Sequence, residues 1–528
     1  MAPMHSTLFA SVARRARRVA QTRCASYLAA IDQGTSSSRV ILYDAGSLAP
    51  VASHQVELQS CTTNPQPGWS QMDPLGILAS VEASAAGALE KAGATASEVV
   101  GVGITNQRES TVVWDKRTGA PLHDCILWHD ARTSDVSRTL QAELGGLDAL
   151  RDSCGLPIST YFSGVKLRWL LDEVPDVKAG FDNGHALFGT VDAWLLWNLT
   201  GGPDGGRHAT DFTNASRTML MDLDAGAWDA DNATKLGVAS AVGGLPEIVS
   251  SAEPYGTIAA GALAGCPVTG ILGDQQSAMV GQRCFDPGDA KITYGTGAFL
   301  LMNAGEKPVA STHGLLSTAL YQFGSGGPRR YALEGAVACC AVGINWFRDA
   351  LGMFEKAPEI SSLAASVDSA EGVYFVSAFG GLLAPHWRDD ARGALVGLTL
   401  AHDKRHVARA VLEGIAHQSA DVVQAMVADS GNALTTLKVD GGVALSDELL
   451  QAQADIAGAA VYRPADVETT AAGAAVAAGI GAGVFDGPAA LADDDGAGAK
   501  FAPAIGADER AARVAAWNKA VEASLGWA

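Results

Sequence analysis

The amino-acid sequence predicts an α/β protein built from two duplicated domains. A short apolar strand near the start runs into a Gly-Thr turn and a second apolar strand, and this pattern returns past the middle of the chain. The two pairs, Gly34-Thr35 and Gly295-Thr296, lie about 260 residues apart, too far for a solenoid repeat and suited to two domains. Helical Ala-rich segments between further strands complete an α/β pattern.

Size and composition agree with this prediction and exclude several function classes. A chain of 528 residues is long enough for two or more domains with full cores. A net charge of −20 argues against nucleic acid or an anionic membrane as the main partner. The eight cysteines form no CxxC pair and have no histidines at metal spacing, which favours free thiols in a reducing compartment. The longest uncharged stretch, 471–485, is shorter than a bilayer span, so we expect a soluble protein without a transmembrane segment.

Residues 1–26 differ in composition from the rest of the chain. They contain five arginines and no acidic residue, and Phe9, Val12, Ala16 and Val19 can share one helical face. This composition is typical of an organellar transit peptide, for a mitochondrion or a plastid. The alternative is a disordered basic tail, in which case we expect a cytoplasmic protein.

The elements of the first domain follow from apolar runs and turn residues. Asp44-Ala45-Gly46-Ser47 is a turn between two strands. The predicted elements are strands at 27–31, 40–43 and 51–58, a helix at 75–92 and a strand at 99–104.

The second domain repeats this order after residue 293. Trp346-Phe347 lies in a helical context, and Val407, Val411 and Ile415 recur at helical spacing before Ser430-Gly431 ends the helix. Strands are predicted at 373–376 and 437–439. Asp286-Pro287-Gly288 interrupts the pattern, so we place the first domain at 27–284 and the second at 285–528.

The Gly-Thr turns are candidate phosphate-binding sites. Gly34 lets backbone N–H groups approach a phosphate, and the hydroxyls and guanidinium that follow it add donors. Asp32, at the end of the first strand, can hold Mg²⁺ through water. Alone, this segment is equally an ordinary Gly-Ser hairpin, but the repeat at Thr296 favours two facing hairpins that clamp the phosphates of ATP.

Charged and amide side chains after two further strands are candidates for binding a polyol. Arg108 and Glu109 are either a surface ion pair or, because Arg donates in a planar fork and Glu accepts, a reader of adjacent hydroxyls. Asp274 is either an Asx-turn residue or a base toward a substrate hydroxyl, with Gln275 holding that substrate. In phosphoryl transfer such a base accepts its proton late, because the transition state is loose.

Several ordered segments together resemble the FGGY carbohydrate kinases. Asp440-Gly441-Gly442 alone is also a common tight turn, but it is one of many matching segments between residues 27 and 517. The matching segments are 32–39, 105–109, 126–128, 161–164, 188–192, 213–217, 273–276, 294–297, 332–335, 379–387, 391–393, 440–442, 468–470 and 473–475.

The resemblance implies two RNase H-like domains of the actin, sugar-kinase and Hsp70 superfamily, with ATP and a polyol in the cleft between them. Within the family, the segments are most similar to members that phosphorylate glycerol to sn-glycerol 3-phosphate with ATP and Mg²⁺. The implied glycerol ligands are Arg108, Glu109, Tyr161, Asp274 and Gln275, with Asp274 as the base and with Trp128 and Phe299 against the C–H face.

The resemblance also assigns the nucleotide side. Asp32 is implied near Mg²⁺ and Gly442 near the nucleoside, and the implied phosphate neighbours are Thr35, Ser36, Ser37, Arg39 and Thr296. The chain departs from the family pattern here, with Ala341 in place of Gly, Asn345 in place of Gln and Ser446 in place of Asn. These departures put the affinity for adenine in question.

Two rival functions are a kinase of a pentulose or sugar acid and a chaperone-like or filament-forming ATPase. The first generally lacks the pair of segments 106–109 and 273–276, and the second needs a peptide-binding domain or assembly loops. The sequence leaves open whether the protein forms a homo-oligomer.

Overall fold

The computed structural model describes residues 26–491 and 498–528. It contains two large mixed sheets, one in each half of the chain, with helices packed on them. Almost all of the predicted transit peptide, residues 1–25, lies outside the described residues. No helix among the described residues is long and apolar enough to span a bilayer.

The described part of the first half, from residue 26 onward, contains fifteen strands and nine α-helices. The strands are β1 (Tyr27–Gln33), β2 (Ser37–Asp44), β3 (Pro50–Glu57), β4 (Thr62–Thr63), β5 (Gln71–Met72), β6 (Val99–Asn106), β7 (Thr111–Asp115), β8 (Cys125–Ile126), β9 (Ala186–Thr190), β10 (Ala209–Asp211), β11 (Met221–Asp222), β12 (Ala227–Trp228), β13 (Glu247–Val249), β14 (Ala252–Thr257) and β15 (Pro267–Gly273). The helices are α1 (Pro74–Ala92), α2 (Ser134–Leu144), α3 (Arg151–Cys154), α4 (Ser163–Glu173), α5 (Pro175–Asp182), α6 (Val191–Leu199), α7 (Phe212–Ala215), α8 (Ala230–Lys235) and α9 (Asp274–Gly281).

The second half adds nine strands and six helices among its described residues. The strands are β16 (Ala290–Tyr294), β17 (Ala298–Gly305), β18 (Leu316–Gln322), β19 (Arg329–Val337), β20 (Tyr374–Val376), β21 (Ala394–Val396), β22 (Leu437–Asp440), β23 (Val461–Arg463) and β24 (Ala499–Phe501). The helices are α10 (Ala341–Asp349), α11 (Glu359–Ala365), α12 (Lys404–Ser430), α13 (Asp447–Ala457), α14 (Thr469–Gly481) and α15 (Ala507–Ala523).

The two large sheets share one topology, which confirms the predicted duplication. The first has the order β14-β15-β6-β1-β2-β3, with β1–β2 and β2–β3 antiparallel and β1–β6 and β6–β15 parallel. The second has the order β18-β19-β17-β16-β22-β23-β24. In it, β16 corresponds to β1 of the first sheet, β17 and β19 to β2 and β3, and β22 and β23 to β6 and β15. Each corresponding pair of neighbours has the same relative direction, antiparallel for β16–β17 and β17–β19 and parallel for β16–β22 and β22–β23. This is the strand order of two RNase H-like units.

Each Gly-Thr turn closes the hairpin between the first two strands of its sheet. The N–H of Gly34 donates to the Ser37 carbonyl at 2.9 Å, and the N–H of Gly295 donates to the Gly297 carbonyl at 2.8 Å. A side chain on Gly297 would lie 2.6 Å from the Val337 carbonyl, so this position must be glycine. The two turns are therefore equivalent points of the duplicated fold.

Helix α14 of the second half packs on the sheet of the first half. Its alanines share a buried cluster with Leu28, Ala30 and Ile41 of the first sheet. The backbones come so close that a Cβ on Gly103 would lie 2.1 Å from the Ala474 carbonyl. The two halves are thus joined through small residues that leave almost no space between helix and sheet.

The predicted elements are confirmed, with ends shifted by a few residues. The helix predicted at 75–92 begins at Pro74 with Asp73 as its N-cap, and α12 ends at Ser430 because Gly431 adopts a left-handed conformation. The first half also holds a five-stranded sheet, β4-β5-β8-β7-β9, that the apolar pattern did not indicate, because three of its strands have only two residues.

Candidate active site

A cavity of about 1120 Å³ lies between the two halves. It brings together the predicted polyol ligands and both predicted phosphate turns. Among its lining residues are Thr35, Ser36, Arg108, Glu109, Trp128, Tyr161, Asp274 and Gln275 from the first half and Gly295, Thr296, Gly297, Phe299 and Glu334 from the second.

A network of buried ion pairs forms one side of the cavity. Arg108 donates from Nη1 and Nη2 to the two carboxylate oxygens of Glu334, at 2.6 and 2.9 Å. Arg217 donates from Nε to Glu109 at 2.6 Å and from Nη2 to Glu334 at 3.1 Å. Arg108 Nε lies 3.1 Å from Oδ1 of Asp274. The network therefore crosses from the first half to β19 of the second.

Burial and charge act in opposite directions on the carboxylates of this network. Burial alone would raise the pKa of Glu334, but Arg108 and Arg217 lower it to about 2. For Glu109, burial outweighs the two guanidinium groups and raises the pKa. Glu334 is consequently the carboxylate that the two arginines hold most firmly in the charged form.

Glu109 is held in a strained backbone conformation. Its φ of +60° lies in the left-handed region, which is uncommon for a residue with a side chain. The hydroxyls of Ser163 and Thr111 both donate to its carbonyl at 3.0 Å, and Arg217 binds its carboxylate. This conformation directs both Arg108 and Glu109, two successive residues, into the same polar cluster.

Asp274 is the most accessible carboxylate of the cluster. Its side chain is 33 % exposed, whereas those of Glu109 and Glu334 are 2 % exposed. It begins α9 directly after β15, and its Oδ1 accepts the N–H of Gln275 at 2.7 Å. Oδ1 makes both of these contacts, with Arg108 and with Gln275, so Oδ2 is the atom available to a substrate hydroxyl in the cavity.

Three aromatic side chains, Trp128, Tyr161 and Phe299, also line the cavity. The Trp128 ring lies 5.6 Å from Tyr161 and 6.2 Å from Phe299, both in edge-to-face geometry. Trp128 Nε1 also donates to the Thr35 hydroxyl at 2.9 Å, which connects this apolar surface to the first phosphate turn. A cavity that combines apolar rings with charged groups suits an alcohol with a hydrocarbon face and adjacent hydroxyls.

Lys166 supports Tyr161 from below the cavity. Its Nζ donates to the Thr160 carbonyl at 2.9 Å and to the Tyr161 carbonyl at 2.5 Å. Burial lowers the pKa of Lys166 from 10.5 to about 7. Two carbonyl acceptors match the two N–H donors of a neutral amine.

The lowered pKa of Lys166 makes folding stability depend on pH. Between pH 7 and 10.5 the unfolded chain binds this proton and the folded chain does not, so the Lys166 contribution to stability rises with pH. We expect the free energy of unfolding to rise less steeply between pH 7 and 9 in the Lys166→Met variant than in wild type. Urea unfolding at several pH values measures this slope. Lys178→Met, at an exposed lysine, is the control and should follow the wild-type slope. Equal slopes for wild type and Lys166→Met would contradict this assignment.

Lys291, on β16 of the second sheet, contacts the predicted substrate ligand Gln275. Its buried Nζ donates to Oε1 of Gln275 and, at 2.7 Å, to the Thr293 hydroxyl. Burial lowers the pKa of Lys291, against the opposing effect of Asp440 and Asp274. The predicted substrate ligand Gln275 is thus oriented by a residue from the other half.

Asp32 lies at the end of β1, opposite Arg39 in the hairpin register. Desolvation, with a further contribution from Asp274, raises the pKa of Asp32 to about 7 although Arg39 opposes this. A bound cation would favour its charged form. The described residues contain no group of three or more His, Cys, Asp or Glu side chains placed to hold a metal. These residues therefore fit Mg²⁺ only as an ion held mainly by phosphate oxygens and water, with Asp32 beside it.

The remaining predicted nucleotide residues lie outside the lining of the large cavity. Arg39 pairs with Glu468, at the start of α14, and with Gln55, and Ser37 is the first residue of β2. Ala341 and Asn345 lie on α10. Gly442 and Ser446 lie between β22 and α13, where Ser446 accepts the N–H of Leu449 as the N-cap.

The network also contains residues that were not predicted as site residues. Glu334, Lys166 and Lys291 belong to largely apolar strands or helices, Arg217 lies in the turn after α7, and all four are almost fully buried. A charged residue inside an apolar run was the available signal, because a buried charge requires a partner.

Two duplicated sheets present backbone turns to one cavity, where an accessible carboxylate lies among charged and aromatic side chains. That arrangement belongs to the two-domain kinases, in which a nucleotide and an alcohol meet between the halves.

Comparison with known proteins identifies the kinase family. Residues 27–281 match the N-terminal domain of the FGGY family of carbohydrate kinases, and residues 290–482 match its C-terminal domain. The chain belongs to the FGGY family of carbohydrate kinases.

Individual proteins of similar sequence match this chain over nearly its full length. The glycerol kinase of Rhizorhabdus wittichii is 51 % identical over 502 residues, covering 95 % of this chain and 97 % of its own. The glycerol kinase of Arabidopsis thaliana is 49 % identical over 512 residues, covering 94 % and 97 %. The crystal structure of Plasmodium falciparum glycerol kinase with ADP shares 35 % identity at a TM-score of 0.88, covering 95 % of this chain and 98 % of that one.

Proposed function

We propose that this protein transfers the γ-phosphoryl group of ATP to glycerol, forming sn-glycerol 3-phosphate and ADP. The observation that carries the proposal is the position of Asp274, an accessible carboxylate that contacts the Arg108 guanidinium and lines the same cavity as the aromatic side chains. Similarity to glycerol kinases over 95 % of the chain supports the same reaction.

The proposed polyol ligands are Arg108, Glu109, Tyr161, Asp274 and Gln275, with Trp128 and Phe299 against the carbon chain. Oδ2 of Asp274 accepts the proton of the attacking hydroxyl as the phosphoryl group is transferred. Arg108 holds Oδ1, so the carboxylate keeps one oxygen toward the substrate. The rings exclude water from the C–H face and limit the length of the alcohol.

The proposed nucleotide site extends from the two turns toward α10. Thr35, Ser36 and Thr296 donate to the phosphates, with Ser37 and Arg39 behind the first turn, and Asp32 lies near Mg²⁺. Mg²⁺ bound to the phosphates would neutralise charge that develops during transfer. The nucleoside is proposed to lie near Ala341, Asn345, Gly442 and Ser446. The structure of a similar glycerol kinase with ADP supports a nucleotide of this type.

A coupled assay of ADP release with glycerol as the only acceptor tests this function. We expect activity that requires ATP, Mg²⁺ and glycerol, and at least about tenfold lower kcat/KM for a pentulose or a sugar acid. ATP hydrolysis without any alcohol would favour the ATPase alternative, and preference for a pentulose would favour the other kinase alternative.

The leader and the domain boundaries also remain proposals. We propose that residues 1–26 direct the protein to a mitochondrion or plastid and that the domains divide at 284/285. Fractionation of cells expressing the full chain with a C-terminal tag tests the first proposal. Recovery only in the cytoplasmic fraction would contradict it.

A further inference from the structure

We propose that Glu334 is a positioning residue of the polyol site and that it determines which N–H group of Arg108 the substrate binds. Glu334 belongs to β19 of the second half, whereas both arginines that it binds belong to the first half. This inference rests on the proposed function, because it assigns a role to Arg108 in binding glycerol.

The first argument is the distribution of donors on Arg108. Nε faces Asp274 at 3.1 Å, and one N–H from each of Nη1 and Nη2 binds Glu334. The second N–H of Nη1 faces Oε1 of Gln276 at 3.4 Å. What remains is the second N–H of Nη2, which makes only a 3.5 Å contact with the Tyr161 hydroxyl.

A contact of 3.5 Å is at the weak limit of a hydrogen bond and leaves this donor available. Both Arg108 and Tyr161 line the cavity, so the donor is aimed at the space proposed for the polyol. We infer that a substrate hydroxyl binds Nη2 of Arg108 beside the Tyr161 hydroxyl. Glu334 contributes to this selection by occupying one N–H of Nη1 and one of Nη2 in a planar, bidentate geometry, while Asp274 and Gln276 face the other two donors.

The second argument is charge. Arg108 and Arg217 are at most 2 % exposed, and Glu334 is bound to both. Glu109 is the other carboxylate bound by Arg217, and it lies 3.9 Å from Arg108. Without Glu334 the Arg108 guanidinium has Asp274 as its nearest counter-ion. Arg108 would then pair with both oxygens of Asp274 and remove the free oxygen that the reaction requires.

The Glu334→Gln variant tests the proposal, because glutamine keeps the length of the side chain and removes its charge. After wild-type activity with glycerol is established, we expect kcat/KM for glycerol to fall about 100-fold, with KM for glycerol raised and KM for ATP changed by less than about twofold. Glu306→Gln is the matched control. Glu306 is an exposed carboxylate that pairs with Arg330, and Arg330 belongs to β19, the strand that carries Glu334. The control variant should behave as wild type.

A double-variant comparison separates positioning from a general structural role. If Glu334 acts through Arg108, Arg108→Gln and the Arg108→Gln/Glu334→Gln double variant should have the same kcat/KM within about threefold. The proposal would be wrong if the double variant lost the product of the two single-variant decreases in kcat/KM. It would also be wrong if Glu334→Gln raised the KM values for glycerol and for ATP equally. Glu334→Asp, which keeps the charge but shortens the side chain, should fold and lose about tenfold. If wild type is active and Glu334→Asp has nearly the wild-type kcat/KM for glycerol, the inference is wrong but the proposed function stands.

Discussion

The Asp274→Asn variant is expected to bind glycerol with little change and to lose about 1000-fold in kcat. Asparagine has the same size and keeps a carbonyl oxygen toward Arg108 and the Gln275 N–H, so the site should keep its geometry. It cannot accept the proton of the attacking hydroxyl, which is the role proposed for Oδ2. Calorimetry measures glycerol binding, and the coupled ADP assay measures kcat.

Asp182→Asn is a suitable control for this variant. Asp182 is an exposed carboxylate that pairs with Lys178 one helical turn away, and it is not among the residues that line the cavity. Its replacement should leave both binding and turnover unchanged. A near-normal kcat for Asp274→Asn would mean that another group, or water, accepts the proton.

The Gly473→Ala variant is expected to lower the free energy of unfolding by about 2 kcal/mol or more. Helix propensity alone predicts the opposite sign, because alanine inside a helix is favoured over glycine by about 1 kcal/mol. A Cβ at this position would lie 1.8 Å from the Ser277 carbonyl of α9. Since α9 begins with Asp274, the forced separation should also lower kcat. Chemical denaturation measures the change in stability.

Gly243→Ala is the matched control, because a Cβ there meets no atom within 4 Å and its φ is not in the left-handed region. It should unfold with nearly the wild-type free energy. If Gly473→Ala is as stable as the control, helices α9 and α14 can separate without cost, and the contact described here does not hold the halves in place.

The strands and turns around residues 34 and 295 could be predicted because each is a local pattern. Apolar alternation indicates a strand, and Gly-Thr indicates a tight turn, so the hairpins were placed to within a few residues. Their similarity then indicated the duplication, which the common strand order confirms. Arg108 and Asp274 were found in the same way, as polar residues that directly follow apolar strands.

Glu334 and Arg217 could not be assigned to the site from the sequence, because their importance arises from distant partners. Glu334 binds Arg108 across 226 positions of the chain. Its position inside the apolar run of β19 indicates that its charge requires a partner, but nothing in that run indicates which residue the partner is. The five-stranded sheet of the first half was missed for a related reason, since its two-residue strands are defined by pairing and carry no period of their own.

The docking of α14 on the first sheet has a consequence for the order in which the chain acquires its structure. During synthesis, β1, β6 and β15 are complete about 200 residues before α14 leaves the ribosome. Until then, the face of the sheet that carries Leu28, Ala30 and Ile41 has no cover from this helix. A nascent chain that stops before residue 469 exposes that apolar face to water and to other chains. Truncated products of this gene should therefore depend on chaperones or aggregate, although they contain every strand of the first sheet.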